Sequence, residues 1–143
     1  MFFKKDINKL AVVCLSFIFS SLPVLAEVNV TDAWVRLLPP MSKMTAAYMN
    51  IQSDQEDRLI AAGSDIAKFI EIHHSKMENG VMSMRQVDGL DLPQDTLVEL
   101  KPQSYHFMVM GLVKPLHESE SYLFTLEFEK AGKVDIQVPV RNP

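Results

Sequence analysis

Tyr105-His106-Phe107-Met108-Val109-Met110-Gly111 is the stretch on which the reading of this chain turns. Aromatic and branched residues alternate with a second set of side chains, the pattern of a β-strand whose successive residues point to opposite faces. Tyr105, Phe107 and Val109 share one face and are core material. His106, Met108 and Met110 share the other. One imidazole and two thioethers in a row are soft metal ligands.

A second region supplies more of the same. Asn79-Gly80 lies between two apolar runs, and both residues tolerate the positive φ that a type I′ hairpin turn requires. A two-residue loop sets Met77 opposite Met82, Ser75 opposite Met84, and His73 opposite Gln86. His73, Ser75, Met77, Met82 and Met84 then share one face. Ile70, Ile72, Val81 and Val87 share the other, which reads as core. Met84 becomes the diagonal neighbour of His73, about 7–8 Å away along the backbones, a gap that long side chains bridge.

The remaining segments are also short and strand-like. Val28 to Arg36 ends at Pro39-Pro40, and Thr45 to Ile51 ends in a polar turn at 53–57. Leu59 to Ala62 precedes Gly63-Ser64-Asp65. Leu90 to Gln94 reads as a loop around Pro93. Thr96 to Leu100, Tyr122 to Glu129 and Val134 to Val140 complete the set. No segment sustains helical periodicity over three turns. The expected fold is all-β, an antiparallel Ig-like β-sandwich.

The N-terminus reads as a signal peptide over residues 1–26. Lys4, Lys5 and Lys9 precede an apolar run from Leu10 to Phe19, and Val24-Leu25-Ala26 offers a small-residue cleavage site. The run is short for a membrane anchor. Cys14, the sole cysteine, lies within that run after the bulky Val13, so a lipid-attachment reading is set aside. A mature chain of residues 27–143 has no cysteine, and therefore no disulfide and no thiolate ligand. It carries 11 Lys+Arg against 17 Asp+Glu, a formal charge of −6. That balance argues against nucleic-acid binding, which needs a basic patch, and no membrane insertion is expected after cleavage.

Two strand regions thus present His and Met together, as His73, ten residues, Met84, twenty-one residues, His106, one residue, Met108. Two imidazoles and two thioethers suit Cu(I), because thioethers select it and imidazole accepts it. Zinc prefers thiolate, imidazole or carboxylate, and a blue-copper site requires cysteine. Methionines on a strand face are usually core filler, and a lone histidine is usually a hydrogen-bonded or surface group. The coincidence of both types on two strands favours ligands. His74 falls on the opposite face and reads as peripheral, and His117 reads as exposed. Met49 reads as core, Met41 and Met44 as a rim, and Met77, Met82 and Met110 as neighbours of the site. The acids 118, 120, 127 and 129 read as a solvated face, not a catalytic carboxylate pair.

The spacing His73-x10-Met84-x21-His106-x-Met108 resembles the copper motif of the periplasmic PCu(A)C copper chaperones at every ligand position. The surrounding Asp32-Ala33-Trp34-Val35-Arg36, Ala46-Ala47-Tyr48-Met49, Glu71-Ile72-His73, Gly80-Val81-Met82-Ser83-Met84-Arg85 and Tyr105 to Leu112 resemble it too. The resemblance implies a cupredoxin-like β-barrel or sandwich that holds one Cu(I) through those four side chains. It implies a copper carrier in the periplasm; a non-enzymatic monomer is the expectation set beside it. Its implied partners are copper-accepting proteins such as the CuA subunit of cytochrome c oxidase or a Sco-type chaperone. His74 stands where the family often has an acidic or other polar residue. The sequence stops at Pro143 without a His/Met-rich extension, so no Cu(II) site is expected. The competing expectations are an exported interaction module using its methionine face, a copper storage or resistance protein, and a copper enzyme. The last needs an open coordination position, which a four-ligand set does not leave.

Overall fold

Apolar residues at alternate positions let most strands bury one face, and ten strands form in the computed structural model, which describes residues 22–143. They are β1 (Val28–Arg36), β2 (Met44–Ser53), β3 (Asp57–Gly63), β4 (Ala67–Glu78), β5 (Val81–Gln86), β6 (Leu90–Leu92), β7 (Val98–Leu100), β8 (Tyr105–Leu112), β9 (Ser121–Phe128) and β10 (Gly132–Arg141). There is no helix among the described residues. Cys14 and all of the expected leader up to residue 21 lie outside them.

The strands run in the order β4-β8-β2-β1-β10-β9-β3, and β3 returns to β4 through the pair Ala62↔Ile70. This closes a seven-stranded barrel, which removes most exposed edges. The fold is therefore the expected all-β barrel, with one parallel pair, β1 with β10, in an otherwise antiparallel set. β5 extends the sheet beyond β4, β6 extends it beyond β3, and β7 pairs with β2 beside β8. Phe107, Phe124, Phe128, Met49, Ile51 and Leu59 fill the interior. Asp57 is buried among them, and its carboxylate accepts the backbone N–H groups of Arg58, Lys130 and Ala131 at 2.7, 2.8 and 2.9 Å. Those bonds satisfy the buried charge and pin the β9–β10 turn to β3.

Three details depart from the sequence reading. The Leu90 segment is a strand, not a loop, because Leu90 and Leu92 both point into the core while Asp91 points out. Its pairing with β3 ends where Pro93 removes the next N–H. Val81 is 67% exposed and not core, because β5 lies outside the closed barrel and its inward-facing side has nothing to cover. Tyr105 is only half-buried; its ring stacks on His74 at 4.2 Å and 15°. That contact also makes His74 a packing residue and not a free surface group.

Candidate metal centre

Asn79 and Gly80 adopt φ of 51° and 78°, and the β4–β5 hairpin forms in the register the turn dictates. His73 faces Gln86, Ser75 faces Met84, and Met77 faces Met82. β8 then packs along the other side of β4, with His73 directly opposite His106 and Glu71 opposite Met108. Paired residues on antiparallel strands share a face. His73, Met84, His106 and Met108 therefore all project from the outer face of the barrel, while Ile72, Phe107 and Val109 fill its interior.

His106 is at the centre of this face and is only 5% exposed. A row of rings across four neighbouring strands shields it. Trp34 of β1 lies 4.7 Å from Tyr48 of β2, Tyr48 lies 6.3 Å from His106, and His106 lies 6.0 Å from His73. Burial pushes the His106 imidazole below its ordinary pKa of 6.5, against the opposing effect of the Ser104 carbonyl. The neighbouring His73 and His74 push it lower still.

Hydrogen bonds fix how each imidazole presents its nitrogens. His106 Nδ1 donates to the Ser104 carbonyl at 3.0 Å, which leaves the Nε2 lone pair free. That Nε2 stands 3.2 Å from Met84 Sδ. A thioether sulfur has no proton to give, so two lone-pair donors face one another. His73 Nε2 lies 2.9 Å from a carboxylate oxygen of Glu71, and His73 Nδ1 is buried with no hydrogen-bond partner among the described residues. An orphaned buried nitrogen is costly unless something else occupies its lone pair. A carboxylate–imidazole pair that frees the other nitrogen is also the usual support of a metal ligand.

Met108 is half-buried on the same face, opposite Glu71 on one side and Ala46 on the other. Met84 is 52% exposed. Met77 and Met82 sit further along the hairpin and are largely exposed, while Met49 lies in the core and His117 in an exposed loop. Met110 faces Met44 on β2 and Phe69 on β4. Among the described residues no three His, Cys, Asp or Glu side chains are grouped to hold a metal, whereas two thioethers share this face with the imidazoles. Glu71, Ser104, Trp34 and Tyr48 escaped sequence reasoning as parts of the site. Glu71 had a legible signal, since it lies two positions from His73 and shares its face. Trp34 and Tyr48 depend on the β1–β2–β8 pairing, and Ser104 acts through its backbone carbonyl.

Barrel and donor set together define a class of protein, the PCu(A)C type of copper-chaperone domain. The copper-bound PCuAC domain of PmoF2 superposes with a TM-score of 0.70 at 24% identity, over 84% of this chain and 97% of that one. The solution structure of CuI-DR1885 from Deinococcus radiodurans gives 0.64 at 27% identity, over 87% of this chain and 82% of that one. In sequence, a protein of Leifsonia xyli subsp. xyli, "Putative lipoprotein Lxx21020", is 30% identical over 118 residues, covering 80% of this chain and 70% of its own. The family model described as "Putative lipoprotein LpqE-like" matches residues 28–140. The chain belongs to this LpqE-like family of PCu(A)C-type copper chaperones.

Proposed function

We propose that this protein carries one Cu(I), held by His73 Nδ1, His106 Nε2 and the sulfurs of Met84 and Met108. The observation that carries the reading is the 3.2 Å approach of His106 Nε2 to Met84 Sδ, two donors with no proton between them. The buried, partnerless His73 Nδ1 points to the same ion. The copper named in the CuI-DR1885 and PmoF2 structures supports this choice of cargo. Four soft ligands complete the coordination of Cu(I) and leave no open position for catalysis.

Release follows from exposure. Met84 is half-exposed on a strand outside the closed barrel, whereas His106 is buried behind the aromatic row. An acceptor's thiolate or imidazole displaces Met84 first and His106 last, so copper is transferred without ever being free. The proposed setting is the periplasm, reached through a leader removed after Ala26, and the proposed destination is the CuA centre of cytochrome c oxidase. The exported character implied by the lipoprotein names of the family and its relative supports the first of these.

The test is competition for Cu(I) against a chromogenic chelator by the wild type, His106→Ala and Met84→Ala. His106→Ala is expected to abolish tight retention and Met84→Ala to weaken it. Unchanged retention in both variants overturns the site. Transfer from the loaded protein to an apo CuA domain, compared with transfer to a Sco-type acceptor, tests the destination.

A further inference from the structure

Beside the four proposed ligands lies a second set of sulfurs that they leave unused. Met44 and Met110 are direct partners across the β2–β8 ladder, so both side chains leave the same outer face of the barrel. Met44 is 54% exposed and Met110 half-buried, and neither residue belongs to the core cluster. The usual account of methionine as an adaptable core filler does not apply to them. Met110 is two residues beyond Met108 on that face, a step of about 7 Å at strand rise. Next along this face β2 presents Ala46, which faces Met108 with no more than a single methyl.

Phe69 completes the row. It is the β4 partner of Met110 and is 62% exposed, a large apolar side chain with no part in the core. An aromatic ring beside thioethers makes favourable contact with sulfur and attracts a cation to its face. The row Met44–Met110–Phe69 thus holds two soft donors and a ring, one strand step from Met108.

We propose that Met44 and Met110, flanked by Phe69, form a second, weaker position for a soft monovalent ion, through which Cu(I) reaches the His73–His106 site. The inference rests on the four-ligand reading for its direction of travel. Two thioethers hold Cu(I) less tightly than two thioethers with two imidazoles, so the position fills second and empties first. Flexible methionine side chains span the step to Met108, and the ion moves by exchange of one sulfur for another.

The test is NMR of protein labelled with 13C at the methionine methyls, titrated with Ag(I) as a soft monovalent ion that does not change oxidation state. The first equivalent is expected to shift the methyls of Met84 and Met108. The second is expected to shift those of Met44 and Met110. In the double variant Met44→Leu/Met110→Leu, which conserves volume, the second equivalent is lost and the first remains. A second equivalent that leaves Met44 and Met110 unmoved, or that persists in the double variant, overturns the proposal. If instead the first equivalent shifts Met44 and Met110 and leaves Met84 and Met108 unmoved, the four-ligand assignment falls and the pair stands.

Discussion

Glu71 and Ser104 each engage one nitrogen of a histidine, and so decide which nitrogen is left for a metal. If Glu71 holds His73 in that tautomer, Glu71→Ala frees the ring to rotate and weakens Cu(I) binding about 10–100-fold, the usual effect of losing such a support. Chelator competition reads this directly, and an affinity equal to the wild type removes Glu71 from the site. His106 contributes to the pH dependence of the copper-free protein. Its pKa is depressed by burial, so the folded state binds a proton less readily than the unfolded chain. Its contribution is full above pH 6.5 and is lost as pH falls through the folded value. Urea midpoints between pH 7.5 and 5 are expected to fall for the wild type, and to fall less for His106→Gln. Equal slopes would mean that the burial of His106 carries no linkage. The candidate ligands were legible because alternation sorts a strand into two faces whatever its neighbours are. Ser104 was not, since its backbone carbonyl leaves no trace in the identity of the side chain.

The β4–β5 hairpin is the element the sequence specified most fully, because Asn79-Gly80 fixes the turn and the turn fixes the register. Val81 and the Leu90 strand were misread for a common reason. An apolar residue reveals its periodicity, but not whether a packed layer lies beneath it. Two glycines near the site separate backbone conformation from packing. At Gly80, φ is 78° and an added Cβ meets nothing within 4 Å. Gly80→Ala therefore costs only the left-handed backbone, about 1 kcal/mol. At Gly111, φ is 68° and an added Cβ would lie 2.9 Å from Lys68 Cβ, an atom fixed to the backbone of β4. Gly111→Ala carries both costs, about 2–4 kcal/mol. Urea unfolding of the two variants is expected to rank Gly111→Ala well below Gly80→Ala, with unchanged m-values. The reverse order would show that the β4–β8 contact at this point yields easily.

The strand patterns alone pointed to a sandwich and only the family resemblance offered a barrel, because the contacts that close it are far apart in the chain. β1 meets β10 in parallel at Val35↔Val140, and β3 meets β4 at one pair, and neither pairing leaves a local signature in either strand. The proposed start of the mature chain is where sequence and whole-molecule structure meet. Ala26 is buried at the barrel's edge, while Leu22, Val24 and Leu25 are exposed. Glu27 N donates to Asp54 Oδ1 at 2.8 Å, and Asp54 N donates to the Glu27 carbonyl at 3.1 Å, just before Val28 enters its pairing with Ser53. Cleavage after Ala26 turns that amide nitrogen into an ammonium already placed against a carboxylate. The bond is then charge-assisted, but it lies at the exposed end of the barrel, so it contributes about 0.5–1 kcal/mol. Intact mass of the exported protein is expected to begin at Glu27. In protein starting there, Asp54→Ala is expected to lower the melting temperature, and the difference is expected to shrink in about 1 M salt, where the Debye length is near 3 Å. In protein that retains residues before Glu27, the nitrogen is a neutral amide, and the same substitution is expected to show little salt dependence. A salt response that is the same for both starting points would separate the cleavage site from the stability of the barrel's first strand.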